Sequence, residues 1–471
     1  MVFSSLIFLF AFLCVTLILY YVLPRKWRNG VLLFVSLLFY GWGEPFYVFL
    51  MLASIGVAFG LGFPIARYRD SDPKKAKAFL LLSVFLNLGA LVFFKYTNFF
   101  LDNLSLLPFL SGRIRTIPTL ALPLGISFYT FQIMSYSIDL YRGTIRIQKN
   151  ILSFGAYVAL FPQLIAGPIV RYKDVQEQLT GRKESVEQFA SGVLRFCCGL
   201  GKKVLLGDGM AAAYRYFAAS FSFEPTTFAS WMIMLSFSLH IYYDFSGYSD
   251  MAIGLGRMFG FEFPENFRYP YVSDSISEFW RRWHISLSTW FREYVYIPLG
   301  GNRKGIPRKM LNLAIVWTLT GFWHGASWNF VVWGVYFFLL LACEKLFFLR
   351  VLEKMPRFFR HLYALLFVGI GWLIFAYETP AEGLAVIGGL VGIGVRSFAL
   401  PANLLEAMRY LTLIILCCLG ATAVPGRLWN RIRSGPFLSK LLAPAGALST
   451  LALSTAYMVN ATFSPFLYFR F

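Results

Sequence analysis

Residues 310–343 read MLNLAIVWTLTGFWHGASWNFVVWGVYFFLLLAC, an unbroken apolar stretch of 34 residues. As one helix it would reach about 51 Å, while a bilayer's hydrocarbon core is only about 30 Å thick. Both flanks are basic, with Arg308 and Lys309 before it and Lys345, Arg350, Lys354, Arg357 and Arg360 after it. A single crossing would put one of these clusters outside, against the positive-inside bias of membrane proteins. A hairpin of two helices satisfies both facts, with its turn near Gly321–Ser327. His324 then lies roughly 22 Å above the cytosolic edge, nearer the outer side.

The whole chain has the same character. Of its 471 residues, 58% are hydrophobic and 14% charged, and 51 are Phe. Soluble domains carry about 25% charged residues. The apolar runs are continuous, which excludes a β-barrel. The fold class is therefore all-α, a polytopic membrane protein. The net charge of +20 would suggest nucleic acid in a soluble protein. Here it reads as basic cytosolic loops, which also suit an anionic cytosolic ligand. The six cysteines lie in apolar stretches without metal-ligand spacing, so no metal site is expected.

Outward from the hairpin, the chain resolves into spans. Residues 1–23 read as a retained first span with the N-terminus outside, followed by Arg25, Lys26 and Arg28. Further apolar runs occupy 30–50, 79–101, 119–141 and 151–170, then 190–206, 229–249, 362–378, 405–424 and 441–463. A short crossing at 51–66 puts the cluster around Arg67–Lys77 and that at Arg142, Arg146 and Lys149 on the cytosolic side. Residues 102–118, with Arg113 and Arg115, then fall outside. The expectation is ten to twelve membrane helices in a single domain over 1–471. Gly56/Gly60, Gly256/Gly260 and Gly388/Gly392 have the spacing of close helix packing. Gly199-Leu200-Gly201-Lys202-Lys203 lacks the full phosphate-loop spacing and carries no such site.

Residues 262–309 break the apolar pattern. Ser275 and Glu278 form a capping box, and Pro298, Gly300 and Gly301 mark an end. Between them Phe279, Trp283, Leu287, Trp290 and Tyr294 share one helical face, and Arg281, His284, Ser288 and Arg292 another. The spacing predicts one amphipathic helix at, or dipping into, the membrane interface.

Ionisable groups at membrane depth mark function by default. Of the four histidines, His361 stands at a basic edge and reads as structural or interfacial. His240 reads first as a hydrogen-bonded core residue. Near it, Asp244 and Asp250 are placed to orient a base, pair with a cation or line a polar path. His284 is balanced between a structural and a functional reading. His324 is the strongest candidate for chemistry. Small residues surround it, Trp323 and Trp328 can wall a dry cavity, and an imidazole can take and return a proton near neutrality. The chain has no Gly-x-Ser-x-Gly elbow and no metal triad.

Several segments together resemble a known family. They are 161–171 (Phe161-Pro162-Gln163 to Arg171), 244–256, Asn266-Phe267-Arg268-Tyr269-Pro270-Tyr271, and 277–303 with its Phe279-Trp280-Arg281-Arg282-Trp283-His284 run. Thr320–Asn329 completes the set. They are similar to the membrane-bound O-acyltransferase superfamily, and within it to bacterial alginate and peptidoglycan O-acetylation membrane proteins. The resemblance spans about 1–345, with the motifs within 119–345. Residues 380–440 carry no matching motif.

The resemblance implies membrane helices around a central pore or funnel in the bacterial inner membrane. It implies acetyl-CoA as a donor substrate, with no permanently bound cofactor. The acetyl group passes to an outer acceptor, usually a partner acetyltransferase of SGNH type acting on exopolysaccharide or cell wall. His324 matches the family's catalytic histidine, and His284 its second motif histidine toward the cytosol. A cytosolic mouth lined by Arg281, Arg282 and Arg292 would hold the CoA phosphates through charge-assisted bonds. D-alanyl transfer to teichoic acid, transport of an anionic solute, and a non-catalytic scaffold are the competing readings.

Overall fold

The computed structural model describes residues 1–108, 110, 121–165, 167–433, 436–460 and 466. Arg113, Arg115 and the motif residue Ala166 lie outside them. Among the described residues no strand forms, and the chain is all-helical. The first helices are α1 (Leu13–Val22), α2 (Arg28–Gly41), α3 (Tyr47–Tyr68), α4 (Pro73–Ser105), α5 (Ile126–Arg142), α6 (Ile151–Ala159), α7 (Phe161–Leu164), α8 (Tyr172–Gly181) and α9 (Val186–Gly201). Then come α10 (Asp208–Phe223), α11 (Thr227–Met258), α12 (Ile276–Arg282), α13 (Ile285–Phe291), α14 (Gly305–His324) and α15 (Trp328–Cys343). The last are α16 (Leu349–Lys354), α17 (Arg357–Ala376), α18 (Pro380–Leu390), α19 (Pro401–Gly420), α20 (Val424–Arg433) and α21 (Pro436–Asn460).

Five helical segments are long and apolar enough to cross a membrane: α3, α4, α17, α19 and Leu441–Asn460 within α21. These match the expected crossings at 51–66, 79–101, 362–378, 405–424 and 441–463. Other expected spans are shorter, interrupted or less apolar: α11 runs unbroken through 229–249 over 32 residues but carries His240, Asp244 and Asp250. The run at 30–50 is split between α2 and α3. The run at 151–170 is broken at Leu160, whose ψ of 110° is extended. Pro162, lacking an N–H, then fits the first turn of α7. By length and composition the ten to twelve spans are thus not all found, because some runs are cut and α11 carries polar groups within its length.

The chain divides into two compact units. The first comprises Met1–Phe196 with Met251–Pro264. Its centre is aromatic: the Phe3 and Phe8 ring centroids lie 4.9 Å apart, and those of Phe12 and Phe161 5.4 Å. At one end Arg28 pairs with Glu184 at 2.6 Å, and Arg182 donates to the Tyr20 hydroxyl at 2.8 Å. The Ser83 and Ser137 hydroxyls join α4 to α5 at 2.9 Å. Gly56 and Gly60 face no atom within 4 Å, so the packing expected of that pair is not made among the described residues. Gly256 does pack closely, with a Cβ position 2.6 Å from the Phe263 ring.

The second unit comprises Cys197–Asp250 with Glu265–Phe471. Here the long apolar run is the expected hairpin. α14 and α15 pack on each other across Gly321 and Gly334, joined by a turn at 325–327. The Gly-Lys stretch that lacks a phosphate loop has another use. Lys202 pairs with Asp250 at 2.6 Å, and buried Lys203 reaches Asp208 at 2.5 Å and Asp244 at 3.1 Å. Asp244 and Asp250 thus pair with cations, one of the roles their sequence context suggests.

Candidate active site

The motif segment starts on a well-held helix end. Ser275 Oγ accepts the Glu278 N–H at 3.0 Å. The buried carboxylate of Glu344 accepts the N–H groups of Ile276 and Ser277 at 2.7 and 2.8 Å. An α-helix leaves its first N–H groups without intrahelical partners, and here a side chain from the end of the hairpin supplies them.

The helix then stops short of its expected length. Trp283 turns extended, at φ −101° and ψ 131°. His284 takes a left-handed conformation at φ 44° and ψ 53°, and α13 begins after it. The single amphipathic helix expected over this region is therefore two seven-residue α-helices with His284 at the break, the second continued by a π-helical turn over Arg292–Tyr296. The apolar face is as read: Phe279, Trp283, Leu287, Trp290 and Tyr294 are all buried. Arg281, Ser288 and Arg292 are exposed on the polar face. His284 is the departure, because the break turns it inward to 1% exposure.

The freed backbone groups at the break are satisfied from Asn266–Arg268. The Ile285 N–H donates to Asn266 O at 3.0 Å, and the Arg268 N–H to Arg282 O at 3.0 Å. The Asn266 side chain continues the grip, its Oδ1 lying 3.1 Å from His284 Nδ1. The His284 ring meets Phe245 edge to face at 4.7 Å and Trp323 at 5.9 Å. The break lies in none of the five candidate spans. Burial in this apolar setting pushes the His284 pKa down, so the ring is neutral near pH 7.

His324 ends α14 and is 5% exposed. Its ring lies 5.0 Å from Trp323, 5.0 Å from Trp333 and 5.2 Å from Phe375. Trp323 is thus in ring contact with both histidines, which stand 40 positions apart in the sequence.

The three arginines separate. Arg281 is exposed, and Arg292 is 63% exposed, 3.8 Å from Glu293. Arg282 bonds Glu278 at 2.6 and 2.9 Å and the Arg268 carbonyl at 3.2 Å. Its guanidinium is spent on holding the helix break. His240 Nδ1 lies 3.0 Å from Gly207 O, and His361 Nδ1 3.0 Å from Ser273 O, as fits their structural readings.

Sequence reading gave no role to Asn266, Glu344 or Trp333. Asn266 was visible as part of a motif without a chemistry. Glu344 was visible as a lone acid between an apolar run and a basic flank. Trp333 offered no signal beyond an apolar position.

The family model for MBOAT, the membrane-bound O-acyltransferase family, matches residues 145–381, which contain both histidines and Asn266. The chain belongs to this family. It is 38% identical over 503 residues to a "Probable alginate O-acetylase AlgI" of Azotobacter vinelandii, covering 100% of both chains. With the Pseudomonas aeruginosa protein of the same name it shares 43% over 381 residues, 80% of this chain and 72% of that one. With the peptidoglycan O-acetyltransferase of Helicobacter pylori it shares 34% over 432 residues, 83% of this chain and 80% of that one. The similarity thus extends beyond residue 345, where the recognised motifs end. The protein is an acyltransferase of the multi-pass, membrane-bound type.

Proposed function

We propose that this acyltransferase takes an acetyl group from cytosolic acetyl-CoA and passes it across the bacterial inner membrane to an extracytoplasmic hydroxyl. The acceptor belongs to a polysaccharide of the alginate or cell-wall type, or to an SGNH-like partner acetyltransferase that modifies one. The names of the relatives support the acetyl group and the polysaccharide. The single observation that carries the chemistry is the pair of buried histidines on one indole, Trp323.

His324 is the general base. Its ring takes the proton of the acceptor hydroxyl as the oxygen attacks the thioester carbonyl. The new carbon–oxygen bond forms, the carbon–sulfur bond breaks, and the proton returns to the CoA thiolate. His284 handles the donor side. Aromatic walls around both rings keep out the bulk water that would hydrolyse the thioester. Arg281 and Arg292, both exposed, are the side chains offered to the CoA phosphates. Arg282 is held by Glu278 and contributes through the helix break instead.

The test is His324→Ala in membranes supplied with acetyl-labelled CoA. Transfer falls by about 10²–10⁴-fold, the usual worth of a positioned acid–base group. Acetyl-CoA binding survives. Wild-type transfer by a folded His324→Ala protein would overturn the assignment. Labelled acetyl-CoA left intact by wild type would favour a transporter.

A further inference from the structure

We propose that Asn266 is a positioning residue that fixes His284 as the Nδ1–H tautomer, so that Nε2 presents its lone pair to a hydrogen-bond donor of the substrate. The inference rests on the transferase reading for its chemistry but not for its geometry.

Asn266 Oδ1 lies 3.1 Å from His284 Nδ1 and receives the Ser286 hydroxyl at 2.9 Å and the Ser286 backbone N–H at 3.2 Å. A backbone N–H only donates, so an oxygen must face it, and the amide cannot be turned the other way. That same oxygen faces His284 Nδ1. A lone pair there would oppose the oxygen's, so Nδ1 carries the hydrogen. In a neutral imidazole the other nitrogen is then the acceptor.

Nε2 is buried and has no hydrogen-bond partner among the described residues. A buried polar atom left without a partner is destabilising. The left-handed backbone of His284, at φ 44°, adds a second cost. Both costs fall on one residue, and the grip of 266–268 on the break sustains them. A purely structural histidine needs neither.

The substrates supply two donors that suit such a lone pair. One is an amide N–H of the pantetheine arm of CoA, which would orient the thioester. The other is an acceptor hydroxyl beside the one that reacts, whose bond to Nε2 would hold the acceptor while the reacting proton passes to His324. The Nε2–H tautomer can serve neither.

The experiment is solid-state NMR of the full-length protein in membranes with ¹⁵N-labelled histidine, His284→Gln assigning the signals. At neutral pH, His284 is expected to show a protonated Nδ1 and an unprotonated Nε2. Asn266→Ala should mix the tautomers and lower transfer by about 10–100-fold, the usual cost of losing a residue that orients a functional histidine. Asn266→Asp keeps an acceptor for Nδ1–H and should restore the tautomer with part of the lost rate. A rise in acetyl-CoA KM assigns the donor to CoA, and a fall in kcat alone assigns it to the acceptor. A protonated Nε2 in wild type overturns the proposal, and so does a folded Asn266→Ala protein with unchanged tautomer and rate. The wild-type spectrum decides even where Asn266→Ala fails to fold. Should His324→Ala abolish transfer while Nε2 is protonated, the transferase reading stands and the Asn266 role falls. Should His324→Ala transfer normally while Nδ1 is protonated, the reverse holds.

Discussion

Gly321→Ala should disable the enzyme without touching either histidine. Gly321 stands three residues before His324, where the backbones of α14 and α15 meet. A Cβ added there would lie 2.3 Å from the Phe330 carbonyl oxygen, 3.2 Å from its carbon and 3.4 Å from Gly334 Cα. All three neighbours are backbone, so no rotamer change relieves the clash. Restoring ordinary contact requires the helices to part by about 1 Å. Overpacking of this kind costs about 1–3 kcal/mol. The larger consequence falls on His324, which rides on the displaced end of α14. A misplacement of about 1 Å in a catalytic constellation can cost about 10²-fold in rate. Transfer from labelled acetyl-CoA in membranes should therefore fall about 10²-fold, with the protein still inserted. Gly56→Ala is the control, since a Cβ there meets nothing within 4 Å. Wild-type rate and unchanged melting in Gly321→Ala would refute the claim that this contact sets the position of His324.

Glu344→Ala strands two N–H groups at the start of α12, at about 1–3 kcal/mol each, and should lower the melting temperature in detergent; an unchanged melt would remove its capping role. Arg281→Gln and Arg292→Gln should each raise the acetyl-CoA KM roughly tenfold with little effect on kcat. Arg282→Gln should instead lower stability, because its guanidinium holds Glu278 and the Arg268 carbonyl. Unchanged KM values in both the Arg281 and Arg292 variants would reduce those residues to an interfacial face.

The hairpin was legible because it follows from length and charge alone: 34 apolar residues are too many for one crossing, and both flanks are basic. The buried face of 275–296 was legible from its period. The break at His284 was not. Nothing at 283–284 announces a helix end, since neither residue is Gly or Pro. The left-handed backbone is sustained by partners 16–18 positions upstream, and helical periodicity carries no information about them. The same limit hid the pairing of Lys202 with Asp250 and of Lys203 with Asp244, each more than 40 residues away. It also hid the use of Glu344, whose partners lie 67 and 68 positions back.

The two histidines are placed by one aromatic body rather than by two independent supports. Trp280, on α12, packs on Trp317 at 4.7 Å, on Phe337 at 4.8 Å and on Trp333 at 5.6 Å. Trp317 belongs to α14, and Trp333 and Phe337 to α15. Trp333 in turn touches the His324 ring at 5.0 Å. The helix that precedes His284 is therefore seated on the same side chains that wall His324. Aromatic rings give this body its stiffness, because each buries a large area with few rotatable bonds. His284 and His324 cannot shift separately unless Trp280 and Trp333 part. This explains in physical terms why the Phe279–His284 run and the Thr320–Asn329 segment belong to one site. Each is half of a support that neither can build alone.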